Sequence, residues 1–425
     1  MVASPTTVGR GAAVTRVAIT GMGVTTPLGN DVPTMWDGLV AGRSGIAPIE
    51  TFDASALKTR FAGMVRDWDA DAEIGHRDAR RMDRYCQFAV AAAKRAVEQA
   101  GLDPRGEGLR AAVSIGSGVG GLHTLLQGHR ALLERGPGRV SPTLVPMMMA
   151  NSAAAQVSIH FGARGRALSP ASACATGTDA IGEAFRMIRR GDADVALAGG
   201  AEAAVTELTL AAFGNATALS TRNDAPERAS RPFDAERDGF VVAEGAGVLV
   251  LESEAHARQR GARILAEVAG YGATSDAHHI VAPEPEGVGA ADAVREALAD
   301  ARMGPEDVDC ISAHATSTPA GDLAEARAIR RVFGRRADRV PIIAIKSMLG
   351  HMLGAAGAVA AVALVRTLLE GVLPPVLNLE HPDPECDLDL VMGRARQTGG
   401  LHVGLSNSFG FGGHNSVLVL RRFEP

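Results

Sequence analysis

Apolar positions along the chain fall into two alternating kinds of run. Short β-branched stretches, Val14–Thr20, Ala111–Ile115 and Val195–Ala198, each end in glycines: Gly21 and Gly23, Gly116 and Gly118, Gly199 and Gly200. Longer Ala-rich stretches with helical spacing lie between them, among them Ala89–Ala100 and Thr178–Arg190. A strand–glycine–helix order predicts a layered α/β architecture whose sheets are covered by helices.

The order occurs twice. Arg16–Gly29 is echoed by Ile264–Ala277, each with a strand, a G-x-G pair and small polar residues. The strand near Ala111 is echoed by Cys310–Gly321, the helix opening at Cys174 by one opening near His351, and Asp194–Ala201 by His402–Gly410. Matching order in both passes predicts a duplicated chain joined near Glu252–Ala262, with halves over 1–260 and 261–425. The alternative is a chance likeness of α/β segments.

Composition narrows the class. With 425 residues, 46 % hydrophobic and 21 % charged, the chain has ample apolar matter to offset the entropy of ordering. A formal net charge of −5 argues against general nucleic-acid binding, which needs a basic face to displace counterions. Four widely spaced cysteines, Cys86, Cys174, Cys310 and Cys386, include no CxxC pair, so no disulfide scaffold is expected and a reducing cytoplasm is. The opening MVASPTTVGRGA reads as a loose polar terminus, not a secretion signal. Gly354–Leu373 is the most membrane-like run, but Arg366 and Glu370 interrupt it, so it reads as a helix buried in protein and no membrane is expected as a partner.

Candidate chemistry centres on Ser172-Ala173-Cys174-Ala175-Thr176-Gly177, between a Pro-containing loop and a helix. A cysteine there sits at the positive end of the helix dipole, which favours thiolate, the nucleophilic form, and backbone N–H groups point at a developing oxyanion. The plainer reading is a small buried hydrophobe. Of the other cysteines, Cys86 falls on a helical face, Cys310 ends a strand and Cys386 lies in an acidic loop. His314 and His351 follow strands in the second half and are flanked by small residues that leave room for a substrate. The loop Asn407–Asn415 has glycines on both sides of Phe411, which would let that side chain swing. Gly116–Gly121 satisfies GxGxxG, yet no acidic residue follows at dinucleotide-site spacing. No metal-ligand cluster appears, and a metal site is not expected.

Taken jointly, ACATG at 173–177, RPFDAERDGFVVAEGAG at 231–247, AHATSTPAGD at 313–322, KSMLGHMLGAAG at 346–357 and NSFGFGGHN at 407–415 resemble the elongating β-ketoacyl-[acyl-carrier-protein] synthases of the thiolase superfamily. The resemblance runs from about Val17 to Leu420. It implies a thiolase-like fold of two βαβαβ-type halves in a five-layer αβαβα sandwich. It also implies a decarboxylative Claisen condensation between an acyl thioester on Cys174 and malonyl-acyl-carrier protein, with His314 and His351 stabilising the enolate oxygen. Lys346 matches a lysine of electrostatic support, and the N–H groups of Cys174 and Phe411 match an oxyanion hole. Phe411 also matches a gatekeeper, Phe409 a substrate contact, Thr316 and Thr318 contacts to the pantetheine arm, and Val119 the acyl pocket, where a smaller side chain would favour longer or bulkier chains. Arg80, Arg81, Arg139 and Arg222 match positions that meet the acidic carrier protein. No cofactor of its own is implied, since substrates ride on the carrier's phosphopantetheine.

Departures from the family pattern bear on the pathway. His414 stands where threonine is common, and Ile345–Met348 and Pro382–Asp389 look more like ketosynthase α subunits of type II polyketide synthases. The fatty-acid reading implies a homodimer; the polyketide reading implies a heterodimer with a chain-length-factor subunit. A biosynthetic thiolase is the remoter alternative and would carry a second cysteine in the loop where Phe411 stands.

Overall fold

The computed structural model describes residues 15–424, so the polar opening stretch lies outside the described residues. Ten strands form the main sheet: β1 (Val17–Thr25), β2 (Ala111–Gly116), β3 (Ala167–Leu168), β4 (Val195–Glu202), β5 (Gly245–Ser253), β6 (Ala266–Ser275), β7 (Cys310–Ser312), β8 (Ile342–Ile343), β9 (Val403–Gly410) and β10 (His414–Arg422). Their spatial order is β8-β7-β9-β10-β6-β1-β5-β4-β2-β3. Reading outward from the centre, each half has its first strand innermost, then its fifth, fourth, second and third. Pairings repeat as well: β2 lies parallel to β3 and β4, β7 lies parallel to β8 and β9, and β5 and β10 run antiparallel to their neighbours. The duplication read from the sequence is therefore a duplication of topology. The halves meet edge to edge where Val17–Ile19 pairs antiparallel with Ala266–Val268, so the two sheets are one continuous ladder.

Six main helices cover the sheets: α1 (Arg84–Ala100), α2 (Ser152–Phe161), α3 (Thr176–Arg190), α4 (Val288–Ala301), α5 (Pro319–Phe333) and α6 (Ala356–Glu370). Period-2 alternation assigns the faces. In the first half, Val195, Leu197, Val248 and Val250 pack outward with α1 and α2, while Ala196, Ala198, Leu249 and Leu251 pack inward with α3 and α6. In the second half Leu405, Val417 and Val419 face α4 and α5, and Leu418 and Leu420 face the same α3–α6 layer. This is the five-layer αβαβα sandwich. Leu353–Glu370, apolar and long enough to cross a bilayer, has 83 % of its residues buried in that central layer.

Several expectations need correction. Two of the three glycine pairs read as strand ends lie inside strands: β1 runs through Gly21 and Gly23, and β4 runs through Gly199 and Gly200 to Glu202, whereas β2 does end at Gly116. Their function is close approach. A Cβ on Gly21 or Gly23 would lie 2.0 or 1.9 Å from carbonyl oxygens of Ala96 or Ala92 on α1, and one on Gly270 or Gly272 would lie 2.4 or 2.2 Å from those of Ala297 or Ala293 on α4. The repeated G-x-G thus seats a helix on the first strand of each half. The helix read from Ala89 starts at Arg84, because the Asp83 side chain accepts from the Tyr85 N–H and caps it. Cys310 opens its strand instead of ending it.

Candidate active site

The nucleophile sits on a tight elbow. Residues Ala173–Ala175 form a 3-10 turn that runs directly into α3, and Ala173 is held at a φ of +51°. Such a backbone is strained for a residue with a Cβ and persists only where its surroundings enforce it. Here the Ser172 N–H donates to Thr176 Oγ1 at 2.9 Å, and Ser172 Oγ donates to the Asp179 carboxylate one turn into the helix. Asp179 also accepts from Tyr271 Oη at 2.6 Å and from Ser416 Oγ, so a side chain of the first half ties the elbow to β6 and β10 of the second.

Cys174 lines a cavity that opens to solvent, together with Val119, His314, Thr316, Thr318, His351, Phe409 and Phe411. Eight residues singled out in the sequence therefore converge on one space. The rings follow one another around it: His314 lies 5.5 Å from His351 between centroids, His351 5.5 Å from Phe240, Phe240 5.3 Å from Phe213, and Phe213 6.3 Å from Phe411.

The backbone N–H groups of Phe411 and of Cys174 itself both point at the sulfur, and Lys346 adds a positive field. Burial outweighs all three and pushes the thiol up to about 11. The expectation of a thiolate at rest is thus corrected: the helix terminus is there, but the site around it is too dry to ionise the sulfur unaided.

His314 and His351 are buried, and desolvation together with the nearby Lys346 charge holds both well below the usual imidazole range, so both are neutral at pH 7. His351 has no hydrogen-bond partner at either ring nitrogen and His314 none at Nδ1. Both rings line the cavity, and their unpartnered nitrogens leave donor and acceptor capacity that the protein itself does not use. The main chain of His351 is fixed by the motif at 231–247, its N–H donating to Val241 O at 2.7 Å and its carbonyl accepting from Ala243 at 2.9 Å.

Lys346 lies behind the site and does not line the cavity; its Nζ donates to the carbonyl of His314 at 2.6 Å. Burial brings its ammonium down to about 8, against the attraction of Glu325. Glu325 accepts from the N–H groups of His314 and Ala315 at 2.8 and 2.7 Å and from Asn407 Nδ2 at 3.0 Å. Asp322 accepts from Ser317 N at 3.1 Å and Phe233 N at 2.8 Å. Two buried carboxylates thus hold the His314 loop, in which Ala315 and Ser317 have positive φ. Asp179, Glu202, Asp322 and Glu325 are absent from the sequence reading. Their signal was present for Glu202, a lone charge closing the apolar run ALAGGA.

The GxGxxG run has its donors engaged within the protein. Its donors are consumed by Glu202, which accepts from Ser117 Oγ at 2.7 Å, Gly118 N at 2.8 Å and Val119 N at 3.2 Å, leaving no cradle for phosphate. The four arginines lie away from the cavity lining. Arg80, Arg81 and Arg139 are exposed, whereas Arg222 is half-buried and donates to the carbonyl of Glu236 at 3.2 Å. Among the described residues no His/Cys/Asp/Glu group is arranged to hold a metal ion.

Residues 14–257 match the beta-ketoacyl synthase N-terminal domain, and residues 265–380 match its C-terminal domain. A 3-oxoacyl-[acyl-carrier-protein] synthase 2 of Synechocystis sp. is 48 % identical over 416 residues, covering 96 % of this chain and 98 % of the relative. The ishigamide ketosynthase/chain length factor superposes with a TM-score of 0.90 at 38 % identity, over 97 % of this chain and 100 % of that one. A type II polyketide ketosynthase solved in complex with its acyl-carrier protein gives 0.89 at 35 % identity, over 97 % and 100 %.

Proposed function

The chain belongs to the β-ketoacyl synthase family, and we propose from that premise how the residues of its cavity divide the work. The protein is an acyltransferase that condenses an enzyme-bound acyl thioester with malonyl-acyl-carrier protein, giving 3-oxoacyl-acyl-carrier protein and CO2 in chain elongation. In the first half-reaction Cys174 Sγ attacks the thioester carbonyl of the incoming acyl group. The C–S bond to phosphopantetheine breaks, and the proton of the Cys174 thiol passes to the departing sulfur. That exchange is proton-neutral, so a resting thiol near 11 is compatible with it. The oxyanion of the tetrahedral intermediate takes the N–H groups of Cys174 and Phe411, the two donors already aimed at the sulfur.

In the second half-reaction the malonyl group loses CO2, and the electron pair of that C–C bond becomes an enolate. Neutral imidazoles of His314 and His351 donate to its oxygen, a role that fits unpartnered nitrogens whose protonation burial suppresses. The carbanion attacks the acyl-Cys174 carbonyl, the C–S bond breaks, and the sulfur leaves as thiolate and takes one proton from water to return to the resting thiol. Lys346 supports the loop and field around His314 without touching substrate. Thr316 and Thr318, whose hydroxyls are 3.0 Å apart at the cavity wall, receive the pantetheine arm, and Phe409 packs beside it. Val119 meets the acyl chain. No cofactor is assigned to the chain itself.

The single observation that carries this reading is one cavity lined by a cysteine on a helix-entry elbow and two neutral, unpartnered histidines. The partner we assign is acyl-carrier protein, met by Arg80, Arg81 and Arg139, with Arg222 contributing less because Glu236 holds it. Residues 1–260 form the half that carries the nucleophile and 261–425 the half that carries the histidines. A homodimer of a fatty-acid enzyme is favoured over a ketosynthase α subunit with a chain-length-factor partner, because identity to the curated synthase exceeds that to the polyketide enzymes. Four free cysteines suit a cytoplasmic setting. The test is CO2 release from malonyl-carrier protein: Cys174→Gln keeps it while losing condensation, and His314→Ala loses both. Intact decarboxylation in His314→Ala overturns the division of labour.

A further inference from the structure

The duplication gives the nucleophile elbow a counterpart. Leu353–Ala355 form a 3-10 turn running into α6, just as Ala173–Ala175 run into α3, and Leu353 has a φ of +46° where Ala173 has +51°. Cys174 therefore corresponds to Gly354. The strands beside the two elbows also correspond, since β4 ends at Glu202 and β9 ends at Gly410. At the first elbow glycine leaves the Cys174 N–H free toward the cavity. At the second the Glu202 carboxylate accepts from the Gly354 N–H at 3.0 Å. Its remaining partners are Ser117 Oγ, Gly118 N and Val119 N, so each oxygen has two partners; burial pushes the carboxyl up and these four hydrogen bonds oppose that push. Glu202 is fully buried, and its four hydrogen-bond partners are all neutral groups. Gly118, Val119 and Leu353, whose main chains it ties directly or through the next residue, all line the cavity.

We propose that Glu202 is a positioning residue: a built-in acceptor that fills the second half's counterpart of the oxyanion site and so fixes the wall of Gly118, Val119 and Leu353 against which the acyl chain is selected. This rests on the reading that Cys174 carries the acyl group. Glu202→Gln keeps shape but loses an acceptor. The amide nitrogen is tolerated only beside Ser117, whose hydroxyl can turn, so the Val119 N–H loses its partner and the wall is loosened at the position that meets the chain. The substitution also removes a negative charge that opposes thiolate formation at Cys174. Ser117→Ala loosens the same wall and leaves the charge in place.

The experiment measures acyl transfer to Cys174 by intact mass, using carrier proteins loaded with short or long saturated chains, alongside the pH dependence of Cys174 alkylation by iodoacetamide. In Glu202→Gln the long-to-short ratio changes by about fivefold or more, the equivalent of one hydrogen bond, and alkylation moves to lower pH. In Ser117→Ala the ratio changes in the same direction while the alkylation profile stays. A folded Glu202→Gln protein with wild-type ratio and profile overturns the proposal; if that variant does not fold, an unchanged ratio in Ser117→Ala does so. Wild-type protein that accepts no acyl group sinks the condensation reading instead, and the alkylation arm still decides whether Glu202 bears on Cys174.

Discussion

Gly410→Ala is the sharpest steric perturbation the site allows. Gly410 does not adopt a positive φ, so only space opposes the added methyl. That Cβ would lie 2.8 Å from Ser172 O, 3.1 Å from Cys174 N and 3.3 Å from Ala175 N. Carbon settles at about 3.5 Å or more from such atoms, and main-chain atoms cannot rotate aside, so the elbow or the end of β9 retreats by about half an ångström. A misplacement of about 1 Å at a reacting centre costs about a hundredfold, which puts this one at about tenfold in acyl transfer. Overpacking costs about 1–3 kcal/mol of stability, and in a protein of this size the fall in Tm stays below about 5 °C. Single-turnover transfer from acyl-carrier protein, read by intact mass, measures the first quantity, and a melting curve the second. Malonyl decarboxylation falls less, because the three atoms nearest the added methyl all belong to the Cys174 elbow. A folded Gly410→Ala protein that acylates at the wild-type rate would refute the claim that the elbow's position sets the chemistry.

Other expectations follow from the same geometry. His351→Ala lowers decarboxylation by about 10²–10³, the usual loss for one oxyanion donor, as measured by CO2 release at saturating malonyl-carrier protein. Condensation declines as pH rises through about 8, where Lys346 loses its proton, and a pH–rate profile of Lys346→Met lacks that limb. The linked stability moves the other way: the unfolded chain holds the Lys346 proton up to 10.5 and the folded protein only to about 8, so this group adds stability between those values as pH rises, visible in urea titrations. Alkylation of Cys174 in the resting protein keeps accelerating toward about pH 11, and a plateau near neutrality contradicts the dry-site argument. Tyr271→Phe, which removes the hydroxyl bound to Asp179 at 2.6 Å, lowers stability by about 1–3 kcal/mol in the same titrations.

The order of strands and helices, their repetition and the cavity-lining Cys174, His314 and His351 were legible because each depends on local pattern: period, helix entry and small flanking residues. Glycines misled. Gly21, Gly23, Gly199 and Gly200 looked like the ends of strands, yet they mark where a helix, a neighbouring strand or an elbow comes too close for a Cβ, and closeness is a tertiary fact. The ionisation of Cys174 misled for a related reason, since a helix terminus is visible in sequence and the dryness around it is not. Asp179, Glu202 and Glu325 escaped because their partners are other segments: Glu325 bonds Asn407 across 82 positions and Glu202 bonds Gly354 across 152. Arg222 matched a docking position by motif, and only the fold reveals Glu236 holding it.

The most direct measurement is peptide mapping by mass spectrometry after the protein is mixed with acyl-carrier protein alone. One acyl group on the peptide containing Cys174, with Cys86, Cys310 and Cys386 unmodified, is the result the account requires. Acylation of one of those three, or of none of the four, contradicts it.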